Sequence, residues 1–284
     1  MENFFEQQKQ DKNMKIGLFD KKVRADAAKI VSVIAGALTT LLAFIEVCVC
    51  LKYAIGVAFL LCAIVIYLIV WYKANTKTSI SLKIRDTTVT IKFGNMFKEP
   101  GKKAINFNEY FDTQVDDVVI AANTLNGIIV NQLGAEHIDS IISKNKHLKD
   151  CIIEQNCIRK QGGKTTKFRL GTICPCDEYL LVAFSQFDEN DRAFHTFDSY
   201  VSCLMNMWNE LDICYALNPI VTNLPGSGIT RFRNEEMTQQ ELLETYIWTF
   251  AKSKVNLRKP SSLTIVLPEG SKKEINLYKI QEMV

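Results

Sequence analysis

The sequence carries little net charge and no stripe of basic residues. Lysine and arginine total 34 residues against 31 aspartates and glutamates, a formal net charge of +3. Because the two signs are interleaved along the chain, we expect no nucleic-acid partner. The three histidines, His137, His147 and His195, lie far apart, and none belongs to a His-Glu-X-X-His pattern. We therefore predict no metal site.

The cysteines lack the spacing of a disulfide framework. Nine are present, and several of them fall in an apolar region near the N-terminus. The one tight pair in the polar part, Cys174-Pro175-Cys176, has neither the Cys-X-X-Cys redox spacing nor the usual spacing of a zinc knuckle. The compartment is therefore predicted to be reducing. No Ser-His-Asp or Cys-His arrangement can be assembled with any specificity, so we predict no catalytic residues.

Charge is absent from two long stretches near the N-terminus. Residues 30–45 (IVSVIAGALTTLLAFI) and 53–72 (YAIGVAFLLCAIVIYLIVWY) contain no charged side chain. Each approaches the roughly 20 apolar residues that cross a bilayer as a helix, so we predict a transmembrane helical hairpin over residues 27–73. A buried hairpin of a soluble protein is the alternative, but such helices rarely stay apolar around their whole circumference. A signal peptide also fits poorly, because there are two segments and no cleavage site.

The distribution of basic residues predicts how the hairpin is oriented. Basic side chains cluster before the first segment and after the second, whereas the connection holds only Lys52. Both termini are therefore expected on the cytoplasmic side. Glu46, beside the connection, is expected to reach the headgroups at the far face, and the alternative is a functional charge in an oligomeric pore. The flanking basic residues are Lys21, Lys22, Arg24 and Lys29 before the hairpin, and Lys73 and Lys77 after it.

The rest of the chain has the pattern of one α/β domain over residues 76–284, after a polar tail at residues 1–26 and the hairpin. Alternating and apolar runs are separated by stretches with helical spacing, which predicts one mixed sheet with helices. We find no internal repeat and no low-complexity linker. The predicted strands are 79–84, 87–93, 104–108, 117–121, 167–174, 179–187, 219–223 and 262–267. The predicted helices are 136–154, 197–211 and 239–252, the last after a Thr238 N-cap.

One loop has the composition of an anion site. The segment PIVTNLPGSGITRF places Gly226 and Gly228 after a predicted strand, with Arg231 close behind. Glycines let backbone N–H groups converge on a phosphate, and ligands of open α/β sheets bind at the carboxyl ends of strands. The loop is neither a Walker loop nor the three-glycine dinucleotide fingerprint. A plain tight turn is the alternative, but the position of the loop favours a diphosphate site.

Two further loops are candidates for the same ligand. FNEYFDT, residues 107–113, follows a short apolar strand and offers amide and hydroxyl groups to a ribose or a base, although a capped turn explains it equally. TLNG, residues 124–127, contains a glycine that allows a second backbone to approach the phosphates. Two such loops facing each other would hold a diphosphate between them. Asp112, Asp116 and Asp117 pair with no nucleophile, so we do not expect them to act as a general acid or base.

Taken in order, these motifs resemble a known family. A two-helix anchor followed by FGNMF, FNEYFDT, TLNG, AFSQFDENDRAF and NLPGSGITRF is similar to the transmembrane macro-domain effectors of Thoeris anti-phage defence. The resemblance implies a macro-like α/β domain, with a mixed central sheet flanked by helices, whose cleft holds an ADP-ribose derivative and requires no cofactor. It also implies a TIR-domain partner that makes the signal, such as a histidine conjugate of ADP-ribose. Signal binding would drive homo-oligomerisation in the bacterial inner membrane and disrupt its lipid, causing abortive infection.

The resemblance also assigns roles to individual residues. The PGSG loop matches the phosphate-binding loop of macro domains, and both Asn108 and Asn123 resemble the asparagine near the distal ribose, with Asn108 preferred. Asn95 stands where macro domains commonly carry an aspartate that contacts adenine. The glycine run of hydrolytic macro domains is missing from TLNGIIV, so we expect a sensor, with a membrane-tethered hydrolase of ADP-ribosyl groups or nucleotide diphosphates as the alternative. The predicted ligand-binding residues are Asn108, Asp112, Thr113, Asn126, Gly127, Pro225, Gly226, Ser227, Gly228, Ile229 and Arg231.

Overall fold

The computed structural model describes residues 16–228, 230–233 and 236–281. These residues form two compact units. Among the described residues, the hairpin unit contains 16–78 together with Asn276–Lys279, and the ligand domain contains Ser79–Ile275 and residues 280–281. The first fifteen residues of the predicted tail, and Ile229 among the predicted ligand contacts, lie outside the described residues.

The hairpin unit is built on two long helices, α1 (Lys21–Ala43) and α2 (Val49–Asn75). The carboxylate of Asp20 caps α1 by accepting from the backbone N–H of Lys22 at 2.9 Å and of Val23 at 3.1 Å. Both helices are long and apolar enough to cross a membrane, with mean hydropathies of 1.5 and 2.8 over their most apolar stretches. Almost none of their apolar side chains is buried, which is unlike the core helices of a soluble protein.

A small apolar cluster lies where α1 begins and α2 ends. It contains Ile16, Val23 and Ala74 together with Tyr278, which arrives from the C-terminal segment Asn276–Lys279. The Tyr278 hydroxyl donates to Asp26 Oδ2 at 2.7 Å, so a buried hydrogen bond joins this segment to α1. This end of the hairpin is therefore held by the C-terminal segment as well as by the helices themselves.

The ligand domain is built on a nine-stranded mixed sheet with the order β1-β2-β11-β9-β3-β7-β8-β10, and β6 also pairs with β7. Strands β2, β11, β9, β3 and β7 are parallel neighbours, so their carboxyl ends lie at one edge of the sheet. A separate pair is formed by β4 and β5. The strands are β1 Ser79–Ile84, β2 Thr87–Phe93, β3 Lys102–Asn108, β4 Ile152–Glu154, β5 Lys167–Phe168, β6 Ile173–Cys176, β7 Tyr179–Phe187, β8 Ala193–His195, β9 Ile220–Asn223, β10 Arg231–Phe232 and β11 Leu263–Leu267.

Helices cover the sheet, and the apolar core lies between the layers. The ring of Trp208 packs 4.8 Å from the ring of Tyr246, and its Nε1 donates to Thr249 at 3.1 Å, so two helices are joined by both apolar and polar contacts. The helices of this domain are α3 Leu125–Leu133, α4 Ala135–Lys144, α5 Lys146–Asp150, α6 Phe197–Cys214 and α7 Gln239–Lys252. The C-terminal helix α8, Leu277–Ile280, falls mostly within the segment that belongs to the hairpin unit. Short 3-10 helices occupy Met96–Lys98 and Glu269–Lys273. The prediction of a mixed sheet flanked by helices is confirmed.

Three predicted elements are wrong in extent or kind. Residues 117–121 form no strand; Asp117 has a φ of 61°, and a single bridge joins Val115 to Ile120. The predicted helix at 136–154 divides into α4, α5 and β4, because Asn145 leaves the helical conformation and caps the next helix through Leu148 N–H at 3.3 Å. The predicted strand at 167–174 is two short strands, β5 and β6.

Candidate functional site

The carboxyl ends of the parallel strands open into a cavity of about 920 Å³. Each of the five strands contributes a residue at or just beyond its end: Asn95 from β2, Pro268 from β11, Asn223 from β9, Asn108 from β3 and Phe187 from β7. This volume lies in the range of small-molecule sites, and the position is the one at which open α/β sheets bind ligands. The fold thus brings the candidate loops of the sequence to one edge.

The PGSG loop follows β9 and lies near the middle of this edge. Gly226 has a φ of +83°, a conformation that side chains rarely adopt, and an added Cβ would lie 3.3 Å from the Phe232 ring. The Pro225 carbonyl accepts from the buried Tyr200 hydroxyl at 3.0 Å, and Ser227 Oγ donates to Leu224 O at 2.7 Å. The first bond anchors the loop to Tyr200, and the second stabilises the turn within the loop.

The structure separates the predicted loop residues into two groups. Gly226, Ser227, Gly228 and Arg231 line the cavity, whereas Pro225, the first residue of the loop, is buried and does not line it. A Cβ added at Gly228 would meet no atom within 4 Å, so the backbone faces open space there. An anion can therefore approach this stretch of main chain closely.

The second predicted loop contributes less to the cavity than the sequence suggests. Asn108 lines it, but Asp112 and Thr113 do not. The Asp112 side chain is 0% exposed and accepts from Asn108 Nδ2 at 2.9 Å and from Lys164 N–H at 2.6 Å, while Thr113 donates to Asp139 at 2.9 Å. Asp112 and Thr113 therefore use these polar atoms in hydrogen bonds within the protein, and their contact with a ligand stays a prediction.

The third predicted loop places the start of α3 on the cavity. Asn123 and Asn126 line it, together with the N-cap residue Thr124, so the N-terminus of this helix borders the cavity. Gly127 does not line it. Its N–H donates to Thr124 Oγ1, and an added Cβ would lie 2.4 Å from the Ala121 carbonyl oxygen. Gly127 is therefore explained by the close packing of helix against loop, and its contact with a phosphate stays a prediction.

A fourth wall of the cavity was missed from the sequence. Gln161, from the loop between β4 and β5, and Asp191 with Arg192, from the loop after β7, line this wall. The backbone N–H of Gln161 donates to Asp191 Oδ2 at 2.9 Å, which joins the two loops. The two segments are far apart in sequence. Gly162 and Gly163 follow Gln161, and Asp191 lies in the AFSQFDENDRAF segment, but neither segment has a catalytic motif that predicts a ligand contact.

A buried histidine lies beneath the PGSG loop. His195 is 0% exposed, and its ring lies 4.6 Å from the ring of Phe184 and 5.8 Å from that of Tyr200. Burial among these rings lowers the pKa of His195 from 6.5 to about 4, since the charged form loses its hydration. The imidazole is therefore neutral at pH 7, and its Nδ1 lies 3.0 Å from Ser199 Oγ.

Two clusters of possible metal ligands lie away from the cavity lining. His137 with Cys176 and Asp177 forms one, and His147 with Cys151 and Glu210 forms the other. In the second, the Glu210 carboxylate is 2.6 Å from His147 Nε2 and 3.7 Å from Arg169. The guanidinium already supplies a cation, so this arrangement is typical of a partly buried ion-pair network. The expectation of no metal stays a prediction.

Comparison with known proteins identifies the family. The family model "Thoeris protein ThsA, Macro domain" matches residues 89–268. The Thoeris protein ThsA of Bacillus amyloliquefaciens (strain Y2) is 36% identical over 287 residues, covering 96% of this chain and 96% of the relative.

Solved structures of distant sequence were also found. The macrodomain of Oceanobacillus iheyensis with ADP is 13% identical, covers 72% of this chain and 96% of its own, and gives a TM-score of 0.48. The same macrodomain with MES bound is 12% identical, covers 73% of this chain and 99% of its own, and gives a TM-score of 0.46. On the family model and the 36% identical relative, the chain belongs to the ThsA family of Thoeris anti-phage proteins and carries that family's macro domain.

Proposed function

We propose that this protein is a membrane-anchored anti-phage effector whose macro domain senses an ADP-ribose derivative. The signal, such as a histidine conjugate of ADP-ribose, is made by a partner TIR-domain protein after infection. Signal binding favours a homo-oligomer whose hairpins disrupt the inner membrane and stop the infected cell. Both termini lie in the cytoplasm, where the signal accumulates.

The observation that carries this proposal is the backbone of the PGSG loop. It follows β9 at the carboxyl edge of the sheet, and the space beside Gly228 is open to the cavity. The first turn of α3, at Leu125 and Asn126, lines the same cavity. Two sets of main-chain N–H groups thus border one space, which is the arrangement that binds a diphosphate without requiring lysine.

The order of the strands supports one orientation for an elongated ligand. The PGSG loop follows β9, Asn95 follows β2 on one side of it, and Phe187 ends β7 on the other side. A diphosphate at the PGSG loop then leaves adenine towards Asn95, where the family resemblance expects it. The terminal ribose extends towards β7 and the wall formed by Gln161 and Asp191.

The charged groups at the cavity favour a receptor over a hydrolase. Among the described lining residues, Asp191 is paired with Arg159, Glu269 with Lys272, and Asp117 accepts from the N–H of Ala122 at 2.9 Å. A general base needs a lone pair directed at its substrate, and these carboxylates already hold partners. This arrangement supports binding without turnover.

Coupling to the membrane requires that the ligand bind the assembled state more tightly than the resting state. A ligand with equal affinity for both states would shift nothing, whatever its affinity. We therefore expect the ADP-ribose derivative to increase both the size of the particle and the permeability of the membrane that contains it.

The test uses the full-length chain in detergent micelles and in lipid vesicles. Calorimetric titration with ADP-ribose and with its histidine conjugate is expected to give one site per chain, and the tighter of the two ligands should release a dye trapped in the vesicles. Absence of binding by both compounds would overturn the proposal. Chromatography of the same samples distinguishes the alternative, because a hydrolase would convert its ligand to products during the titration.

A further inference from the structure

The cavity wall beyond β7 is assembled from segments that are not neighbours in sequence. Asn108 ends β3, Phe187 ends β7, Asp191 lies in the following loop, and Gln161 comes from the loop between β4 and β5. Loops without mutual contacts would leave such a wall without a defined shape. A group that joins several of these segments therefore helps to set its geometry.

The Arg159 side chain is that group, although it does not itself line the cavity. It is 3% exposed, and its Nη1 donates to Asp112 Oδ2 and to the Lys164 carbonyl, both at 3.0 Å. Its Nε donates to the Asp191 carboxylate, whose side chain is 4% exposed. One guanidinium thus joins two buried carboxylates with directional, charge-assisted hydrogen bonds.

The same guanidinium packs against two aromatic rings. Its central carbon lies 4.1 Å from the centre of the Tyr110 ring and 5.1 Å from that of Phe187. Burial disfavours the charged form, but the two neighbouring carboxylates outweigh burial and raise the pKa of Arg159. The guanidinium therefore stays charged, and the stacking fixes its direction.

Each partner of Arg159 in turn holds a lining residue. Asp112 accepts from the side chain of Asn108 at 2.9 Å, and Asp191 accepts from the backbone N–H of Gln161 at 2.9 Å. Phe187 both stacks on the guanidinium and lines the cavity. Arg159 therefore contacts Phe187 and Asp191 directly, and it reaches Asn108 and Gln161 through one intervening carboxylate each.

From these contacts we propose that Arg159 is a positioning residue for the terminal ribose end of the ligand. The inference rests on the proposed function and adds a residue that sets the shape of the β7 side of the cavity. It acts through Asp112, Asp191 and Phe187 without touching the ligand. The adenosine diphosphate part, bound on the side of the PGSG loop and Asn95, does not depend on it.

The test compares Arg159→Lys with a matched control, Arg233→Lys, in the full-length chain. Lysine keeps the positive charge but lacks the planar fork that joins two carboxylates and stacks on rings. Arg233 offers the same chemistry outside the lining, because it pairs with Asp188 at 3.0 Å and stacks 3.7 Å above Phe194. Asp191→Asn is a second, milder variant, which keeps the side-chain shape and removes one charged partner of Arg159.

The readout is the dissociation constant for ADP-ribose and for ADP, measured by calorimetry below the melting temperature of each variant. Arg159→Lys and Asp191→Asn should raise the dissociation constant for ADP-ribose by about tenfold, which is the effect of losing one charge-assisted hydrogen bond. The dissociation constant for ADP should stay within about twofold of the wild-type value. Arg233→Lys should change neither constant. A purely structural role would lower the melting temperature and affect both ligands alike.

The outcomes separate this inference from the proposed function. If the wild-type chain binds neither ligand, the proposed function fails before the variants are considered. If the wild type binds ADP-ribose and both variants bind it equally well, or if both ligands weaken in parallel, the positioning role of Arg159 is overturned while the sensor stands.

Discussion

The side-chain amide of Asn108 donates to Asp112 Oδ2 at 2.9 Å, and its oxygen accepts from the N–H groups of Tyr110 at 3.1 Å and of Asp112 at 3.2 Å. These bonds form an Asx turn that directs the polar atoms of Asn108 into the loop itself. The side chain of Asn123 also borders the cavity and makes no hydrogen bond within the described residues. The side chain of Asn123 is therefore the better placed of the two for a ribose contact, and the contact of Asn108 stays a prediction.

Alanine substitutions should separate the two asparagines. Asn123→Ala is expected to weaken ADP-ribose binding by about tenfold and to leave the melting temperature nearly unchanged, because an exposed side chain that makes one bond to the ligand is removed. Asn108→Ala should instead destabilise the domain by about 1–3 kcal/mol, because buried partners lose a hydrogen bond. Calorimetry and thermal melting measure the two effects. Equal effects on binding and melting in both variants would contradict this assignment.

Gly228→Ala tests the phosphate site without straining the fold. An added methyl group meets no atom within 4 Å, so the melting temperature should stay within a few degrees of wild type, but the methyl occupies the space of a close-approaching phosphate. We expect ADP-ribose affinity to fall by about tenfold or more. Gly270→Ala is the control, because its Cβ is equally free and Gly270 does not line the cavity. Unchanged affinity in the Gly228 variant would place the diphosphate elsewhere.

The elements that the sequence predicts well are those whose signals are local. β1, β2 and β7 have the predicted bounds because alternation or a continuous apolar run lies between clear turns. α7 begins after Thr238, whose side chain accepts from Glu241 N–H at 3.2 Å, and Glu241 accepts in return from Thr238 N–H. The capping box is visible in the sequence, so this boundary was predictable.

The elements that the sequence misplaces depend on contacts with distant residues. The run VVIA after Asp117 is as apolar as a strand, but it pairs with no strand of the sheet, and Asp117 turns the chain with a positive φ. The Arg159 contacts join residues that lie tens of positions apart, and nothing local distinguishes this arginine from an exposed one. The PGSG loop was found because its glycines follow a predicted strand, whereas the wall formed by Gln161 and Asp191 depends on a contact between distant segments.

His195 should make the stability of the ligand domain depend on pH. Its folded pKa of about 4 lies below the unfolded value of 6.5, so the unfolded chain binds the proton first as the pH falls. The neutral imidazole therefore contributes about 3 kcal/mol to the free energy of unfolding above pH 6.5. This contribution is lost as the pH falls from 6.5 towards 4.

The variant His195→Asn isolates that effect from other titrating groups. It keeps a polar side chain near Ser199 and cannot become charged in this range. Melting temperatures of wild type and variant, measured at about pH 7.5 and about pH 5, should show a larger acid-induced decrease for wild type. The assigned pKa is wrong if both proteins lose the same number of degrees.

The chain runs directly from Ile275 of the ligand domain into the segment Asn276–Lys279 of the hairpin unit, which contains Tyr278. Its ring lies 4.4 Å from Lys22 Nζ, and its hydroxyl donates to Asp26 Oδ2 at 2.7 Å. The segment is therefore held on the start of α1 by a bond to a charged group, which contributes about 1.5–3 kcal/mol. A change that begins at Glu269, in the cavity lining, has a short covalent path to this attachment.

Tyr278→Phe keeps the ring and removes only the hydroxyl. Amide hydrogens of the segment Asn276–Lys279 should exchange about tenfold faster, because local opening becomes easier when the bond to Asp26 is lost. Tyr53→Phe is the matched control on the hairpin, since its hydroxyl makes no hydrogen bond in the described chain. The dissociation constant for ADP-ribose should be unchanged while ligand-induced dye release falls, because binding and membrane action are then uncoupled. Normal dye release from vesicles that contain the Tyr278 variant would mean that the ligand domain acts on the hairpin by another route.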